Sequence, residues 1–327
     1  MKLSSLRTPV RDGQLIVVSR DLSRAVAVPE VAPTLQAALD DWERIEPKLR
    51  GVSDALNAGG KLDNVFALDM SKLAAPLPRA YHWVDGSAYV NHVELVRKAR
   101  GAQMPETFWT DPLVYQGGSD DFLGPRDDVP VPSEEFGIDL EGEIAVITDD
   151  VPMRTTHDAA GSHIKLLMLV NDWSLRNLIP GELAKGFGFY QSKPATAFSP
   201  VAVTPDELGS AWIHSTLQRP LTVHVNDELF GRPNAGMDMT FDFARLIEHI
   251  TKTRNARAGT ILGSGTISNY DRSLGSACIA ERRMLEQLEH GKPITPFLKF
   301  GDRVRIEMFD KEGRSIFGAI DQRVVRA

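Results

Sequence analysis

Two glutamates, Glu141 and Glu143, stand two apart inside an apolar, β-branched run that reads I-D-L-E-G-E-I-A-V-I-T from Ile138 to Thr148. No other feature restricts the fold as strongly. On a strand, residues i and i+2 share a face, so the two carboxylates project together, with Leu140, Ile144 and Val146 on the opposite face or in mixed positions. A second apolar run, Ile164 to Val170, is followed at once by Asp172 and Trp173. Three carboxylates carried by buried strands repel one another, and buried charge has to be paired or bound to a cation. Oxygen-only ligands suit Mg²⁺ or Ca²⁺ rather than zinc. A solvated acidic surface is the competing reading for part of this region, because residues 127–153 hold nine acids and no Lys or Arg.

A chain of 327 residues can form two domains, or one large domain with a smaller appendage. Forty-four acids against 37 bases give a formal charge of −7, which argues against nucleic acid or an anionic membrane as partner. The single cysteine, Cys278, excludes an intrachain disulfide and fits a reducing cytoplasm. The start, M-K-L-S-S-L-R-T-P-V, lacks a secretory core, and no apolar run approaches the length of a membrane span. The expectation is a soluble cytoplasmic protein.

Residues 1–78 read as a small N-terminal domain. Strands are expected at Leu15–Ser19 and Ala25–Val28. Thr34 is placed to cap a helix that carries Leu35, Ala38, Leu39, Trp42 and Ile45 on one face. A second, short helix is expected from Val52 to Asn57, stopped by Gly59-Gly60. The Pro-punctuated A-A-P-L-P-R ends this part, and residues 79–327 form the rest. There, Ala88–Arg100 reads as a helix and residues 117–137 as loop. Thr196–Val203 reads as a strand. Leu221–Asn226 alternates and turns at Asp227-Glu228 into Leu229-Phe230. Phe241–Thr253 reads as a helix, Thr260–Leu262 as a strand before G-S-G-T, and Val304, Ile306 and Met308 alternate, as does the tail around Ile316 and Ile320. Strands without regular βαβ alternation predict an α+β, β-rich fold with a mixed or antiparallel sheet arrangement and peripheral helices.

Several chemistries are absent. There is no G-x-x-x-x-G-K-[S/T] phosphate loop, no complete dinucleotide fingerprint at Gly263–Ser268 and no G-x-S-x-G elbow. No H-E-x-x-H occurs among the eight histidines, and one cysteine cannot build a cysteine-rich zinc site.

The chemistry-bearing pieces, in order, are Asp85 with His92 seven residues on, Glu141-x-Glu143, N-D-W-S-x-R at Asn171–Arg176, S-K-P at Ser192–Pro194 and S-G-T-I-S at Ser264–Ser268. Together they resemble the fumarylacetoacetate hydrolase family, from about residue 80 to the end of the chain, with a small N-terminal domain in front. The resemblance implies a mixed β-sandwich roll for the catalytic domain, usually as a homodimer. It implies a divalent metal, Mg²⁺ or Ca²⁺ with Mn²⁺ also suitable, held by Asp85, Glu141, Glu143 and Asp172. It implies His92 as general base, Lys193 and Arg176 as catalytic cations, and Tyr115, Arg100 and Thr266 on the substrate side. The chain departs from the animal fumarylacetoacetase pattern at Ser87, Ile179 and Leu183, where two tyrosines and a glutamine would contact substrate. A fourth departure is Ile279, on which the glutamate that pairs with the catalytic histidine falls by direct counting. Glu281, two residues on, would face the same way if that segment were extended, and is the expected partner of His92. Cys278 has no assigned base and is not expected to act as a nucleophile.

The activity so implied is hydrolysis of a carbon–carbon bond in a 1,3-diketo acid, foremost fumarylacetoacetate to fumarate and acetoacetate in aromatic amino-acid catabolism. Relatives with the same site hydrolyse acylpyruvates, hydrate 2-oxo acids or decarboxylate oxaloacetate. A non-catalytic Ca²⁺ scaffold would need neither His92 nor Lys193.

Overall fold

The computed structural model describes residues 1–99 and 104–327, with the backbone alone for residues 96–99. Strands Gly142–Thr148 and Ile164–Asn171 lie at its centre, paired antiparallel with Glu143 opposite Val170 and Val146 opposite Leu167. All seven residues of Gly142–Thr148 are buried, as a run this apolar requires when both faces of a sheet are covered. Outward on one side come Ala202–Val203, Lys2–Leu6, Gln14–Val18, Arg24–Ala27 and Phe66–Ala67. On the other side come Ile261–Gly263, Trp83–Gly86 and Val114–Gln116. Ile261–Gly263 runs parallel to Trp83–Gly86, and its partner on the other edge, Gly142–Thr148, is antiparallel.

Alternate residues of the central strands enter two separate cores. Ile144, Val146, Leu167 and Leu169 pack with Val223, Ile306 and Ile320. These belong to a second sheet, ordered Glu228–Gly231, Leu221–Val225, Arg303–Met308, Ile320–Arg326 and Val129–Val131. Ala145, Ile147, Leu166 and Met168 pack instead with Leu35, Leu39, Ile45 and Leu49 of the N-terminal helices. The result is a strand-rich α+β molecule with two sheets face to face and a helical layer on the outer face of the larger one. The strands of the first 78 residues continue that larger sheet.

Thr34 caps the first helix, its hydroxyl accepting from the Ala37 N–H at 3.1 Å. The helix ends at Leu39, and a second runs unbroken from Trp42 to Asn57. The expected division therefore moves: Asp40-Asp41, residues that favour caps over helix interiors, interrupt the pattern, and Val52–Asn57 is the end of the long helix. The hairpin turn falls on Asn226-Asp227, both with positive φ (51° and 65°), one residue earlier than expected. The expected strand Thr196–Val203 is split into Ala197–Phe198 and Ala202–Val203 by Ser199–Val201. The expected helices start later, at Val90 and Phe243, and the second ends at Ile250. Among the described residues, no helix is long and apolar enough to cross a membrane.

Candidate active site

Three strands deliver the acidic cluster. Asp85 sits on Trp83–Gly86, Glu143 on the central strand, and Asp172 one residue beyond Ile164–Asn171, its N–H bonded to the Glu141 carbonyl at 3.0 Å. One carboxylate oxygen from each of Asp85, Glu143 and Asp172 lies within 4.8 Å of the others. Asp85 is held from behind by the Gly265 N–H, which donates to Oδ1 at 2.9 Å. Gly265 has φ +75°, and a Cβ there would meet the Gly86 carbonyl at 2.2 Å, so the S-G-T loop can approach the Asp85 strand only with glycine at this position.

The cluster is electrostatically incomplete. Glu143 is fully buried and neither carboxylate oxygen has a hydrogen-bond partner. Burial, followed by the charges of Asp85 and Asp172, pushes its pKa well above the ordinary glutamate range. Burial and the Asp172 charge do the same to Asp85. Unpaired buried carboxylate oxygens are costly. A hard divalent cation with oxygen ligands answers both the missing partners and the mutual repulsion, so the residues present fit such an ion.

Glu141, also expected as a ligand, is turned toward cations. Its Oε1 accepts from Arg176 Nη2 at 2.7 Å and its Oε2 from Lys193 Nζ at 2.5 Å. Burial works to raise its pKa, but Lys193 and Arg176 hold it at about 2. Lys193 also donates to Asp172 Oδ2 at 2.6 Å. Burial works to lower its pKa, yet Asp172 and Glu141 hold it well above the ordinary lysine range, so it is a fixed positive charge rather than a base. Arg176 spans Glu141 and Asp139, the latter at 2.7 Å. Tyr115 donates to Asp172 Oδ2 at 2.5 Å and Thr196 donates to Oδ1 at 2.8 Å, which fixes that carboxylate in place.

The helix Val90–Ala99 brings His92 to the same cavity. Its Nδ1 lies 2.6 Å from Glu281 Oε2, leaving Nε2 for the cavity. Glu281 is fully buried; burial opposes its ionisation, but the His92 hydrogen bond and charge lower its pKa. The segment carrying Glu281 is helical, Ile279–His290, so Glu281 reaches His92 from the first turn of a helix and not by the alternation of an extended chain. Cys278 is its N-cap, the sulfur accepting from the Glu281 N–H at 3.3 Å. Asp139 holds the helix start, its two oxygens accepting from the Ile279 and Ala280 N–H groups at 2.7 and 2.9 Å. The thiol is buried, and burial and the Asp139 charge raise its pKa well above the ordinary range.

A cavity of about 800 Å³ opens over these groups. Thr266, Tyr115, Lys193 and Arg176 line it, and Ser87, Ile179 and Leu183 form part of the wall. Arg100 lies outside the described residues. Asp139 was not singled out from the sequence, although D-x-E-x-E at residues 139, 141 and 143 puts it on the same strand face as the glutamates.

The family profile described as the fumarylacetoacetate (FAA) hydrolase C-terminal region matches residues 81–325, and that of fumarylacetoacetase N-terminal domain 2 matches residues 1–79. The oxaloacetate tautomerase YisK of Bacillus subtilis is 26% identical over 251 residues, spanning 74% of this chain and 71% of the relative. The fumarylacetoacetase of Caenorhabditis elegans is 26% identical over 277 residues, spanning 71% of this chain and 66% of its own length. Among solved structures, a maleylpyruvate hydrolase from Sphingobium sp. SYK-6, in complex with manganese(II) and pyruvate, superposes with a TM-score of 0.65 at 17% identity over the whole of both chains.

Proposed function

The chain belongs to the fumarylacetoacetate hydrolase family, and from that premise we propose that it is a metal-dependent hydrolase of a carbon–carbon bond in a 1,3-diketo acid, with fumarylacetoacetate as the first substrate to test. The observation that carries this reading is the His92–Glu281 pair at 2.6 Å beside the acidic cluster. Keto–enol exchange needs only proton transfer at carbon. Hydrolysis needs water delivered to a carbonyl, and a histidine oriented by a buried carboxylate is suited to that. The cavity volume supports the same reading, being toward the upper end of the roughly 300–1,000 Å³ typical of small-molecule sites.

Asp85, Glu143 and Asp172 would hold the divalent cation, Mg²⁺, Ca²⁺ or Mn²⁺, with Glu141 beside them linking the cluster to Lys193 and Arg176. When bound, such an ion polarises a carbonyl oxygen and orients a 1,3-dicarbonyl. His92 takes a proton from water through Nε2, while Glu281 steadies the imidazolium. The water oxygen bonds to the distal acyl carbon. The carbon–carbon bond then breaks, its electron pair leaving on the carbon between the two carbonyls. That carbon takes a proton from the His92 imidazolium, which regenerates the base. Lys193, kept protonated by its carboxylate neighbours, supplies fixed positive charge where negative charge develops. Arg176 holds Glu141 and Asp139 in place.

The second reading is keto–enol tautomerisation of a small 2-oxo acid, supported by the similarity to the oxaloacetate tautomerase. The two separate by products. With Mg²⁺ or Mn²⁺, the hydrolase converts fumarylacetoacetate or an acylpyruvate into two acids, seen by loss of the enol absorbance and by NMR. Oxaloacetate enol converted to ketone, with every diketo acid left intact, would favour the tautomerase and discard the hydrolase.

A further inference from the structure

Three fixed cations line the described part of the cavity, and two are consumed by the chain's own carboxylates: Arg176 by Asp139 and Glu141, Lys193 by Glu141 and Asp172. The third, Arg283, makes no ion pair among the described residues. It sits half-buried in the cavity wall, with Ala280 and Met284 from the same helix beside it. These positions, i−3 and i+1, share one helix face.

Arg283 is held in a defined pose. Its Nη1 donates to the Thr295 carbonyl at 2.5 Å, and the guanidinium stacks over the Phe297 ring at 4.4 Å. The segment it leans on is pinned to the same helix. Glu286 accepts from the Ile294 and Thr295 N–H groups at 2.6 and 2.8 Å. The stacked plane and the single carbonyl leave most of the guanidinium donors uncommitted. Around it the wall is apolar, with Phe108, Ile179, Leu183 and Phe297. A fixed cation in such a wall, without a counter-charge of its own, is matched by an anionic group on the occupant.

We propose that Arg283 is the specificity-determining residue for a second carboxylate, at the acyl end of the substrate, so that the enzyme selects dicarboxylic diketo acids over those ending in a methyl group. This rests on the reading of the cavity as a diketo-acid site. It adds the residue that reads the far end of the acyl fragment, whether that diacid is unsaturated or saturated.

The test separates the two readings by measuring binding apart from turnover. Fumarate and crotonate differ only in the distal carboxylate, and each is titrated by calorimetry into the Mg²⁺-loaded wild type, Arg283→Gln and Arg283→Lys. A charge-assisted hydrogen bond is worth roughly 10–100-fold. Fumarate should therefore bind the wild type about tenfold or more tightly than crotonate. Arg283→Gln should bring the ratio close to one with crotonate unaffected, and Arg283→Lys should restore part of it. In turnover, kcat/KM for a diacid substrate should fall in Arg283→Gln chiefly through KM, with its methyl-terminated analogue unchanged. Equal binding of fumarate and crotonate by the wild type overturns the proposal, even if diketo acids are cleaved. So does an equal loss for both ligands in Arg283→Gln, which would mark a structural tie to Thr295. An Arg283-dependent preference for fumarate without any cleavage keeps this inference and removes the hydrolase reading.

Discussion

At the residue scale, the buried carboxylates of the cluster cannot all be charged without a cation. Asp85 and Glu143 have their pKa values raised by burial and by neighbouring charge. In metal-stripped protein they hold protons that the unfolded chain releases at about pH 4. The folded state then binds more protons than the unfolded one, so stability falls as pH rises above that value. Glu143→Gln removes one such group. At neutral pH after chelation, the variant should melt higher than the wild type; with saturating Mg²⁺ it should melt lower, and calorimetric metal affinity should drop at least tenfold. Equal melting shifts on adding metal to both proteins would contradict the assignment of Glu143. Cys278 makes a different prediction. Its sulfur is a helix cap with a raised pKa, and serine is a strong cap residue. Cys278→Ser should keep kcat within about threefold, whereas a loss on the hundredfold scale of a catalytic group with folding intact would show the thiol to be chemical.

At the element scale, the site depends on two helices and one loop meeting the central strands. Ile279–His290 presents Glu281 to His92 and is fastened at its start by Asp139. Because His92 and Glu281 act as a unit, His92→Gln and Glu281→Gln should each lower kcat, and the double variant should be little worse than His92→Gln alone. Fully multiplicative losses in single-turnover kinetics would dissolve the pair. Much of this element was legible in the sequence: Glu141-x-Glu143 and Asn171-Asp172-Trp173 end or begin apolar runs, and Thr34 announces its helix by type and position. The conformation around Glu281 was not, because cysteine is a rare cap and S-A-C-I-A-E reads equally well as extended. The first strand, Lys2–Leu6, was hidden for another reason. Its Ser4 and Ser5 hydroxyls are buried and satisfied by the Pro200 and Pro76 carbonyls, partners 196 and 71 residues away. The parallel pairing of Asp85 with Gly263, which brings the S-G-T loop to the acidic cluster, is likewise a long-range fact that no local pattern announces.

At the scale of the whole molecule, the first strand ties the larger sheet to residues near the end of the chain. Lys2 Nζ donates to the Ile316 carbonyl at 2.5 Å and the Ser315 carbonyl at 3.3 Å. Burial lowers its pKa to about 8, against the pull of Glu207 and Asp310. An unfolded chain holds that proton to about pH 10.4. Between the two values the unfolded state binds more protons, so unfolding free energy rises with pH. The difference in urea-unfolding free energy between wild type and Lys2→Met should therefore climb by about 1–3 kcal/mol over that window, and a flat difference would count against this tie. On the proposed function, the assembled cavity, with its acidic cluster and oriented histidine, delivers water to an acyl carbon. Turnover of a diketo acid in ¹⁸O-labelled water, read by mass spectrometry of the acid released from the acyl end, tests it most directly. A single ¹⁸O is expected in the newly formed carboxylate, dependent on divalent metal and lost in His92→Gln. An intact carbon–carbon bond with only deuterium exchange from D₂O, or cleavage that leaves the acyl acid unlabelled, would contradict it.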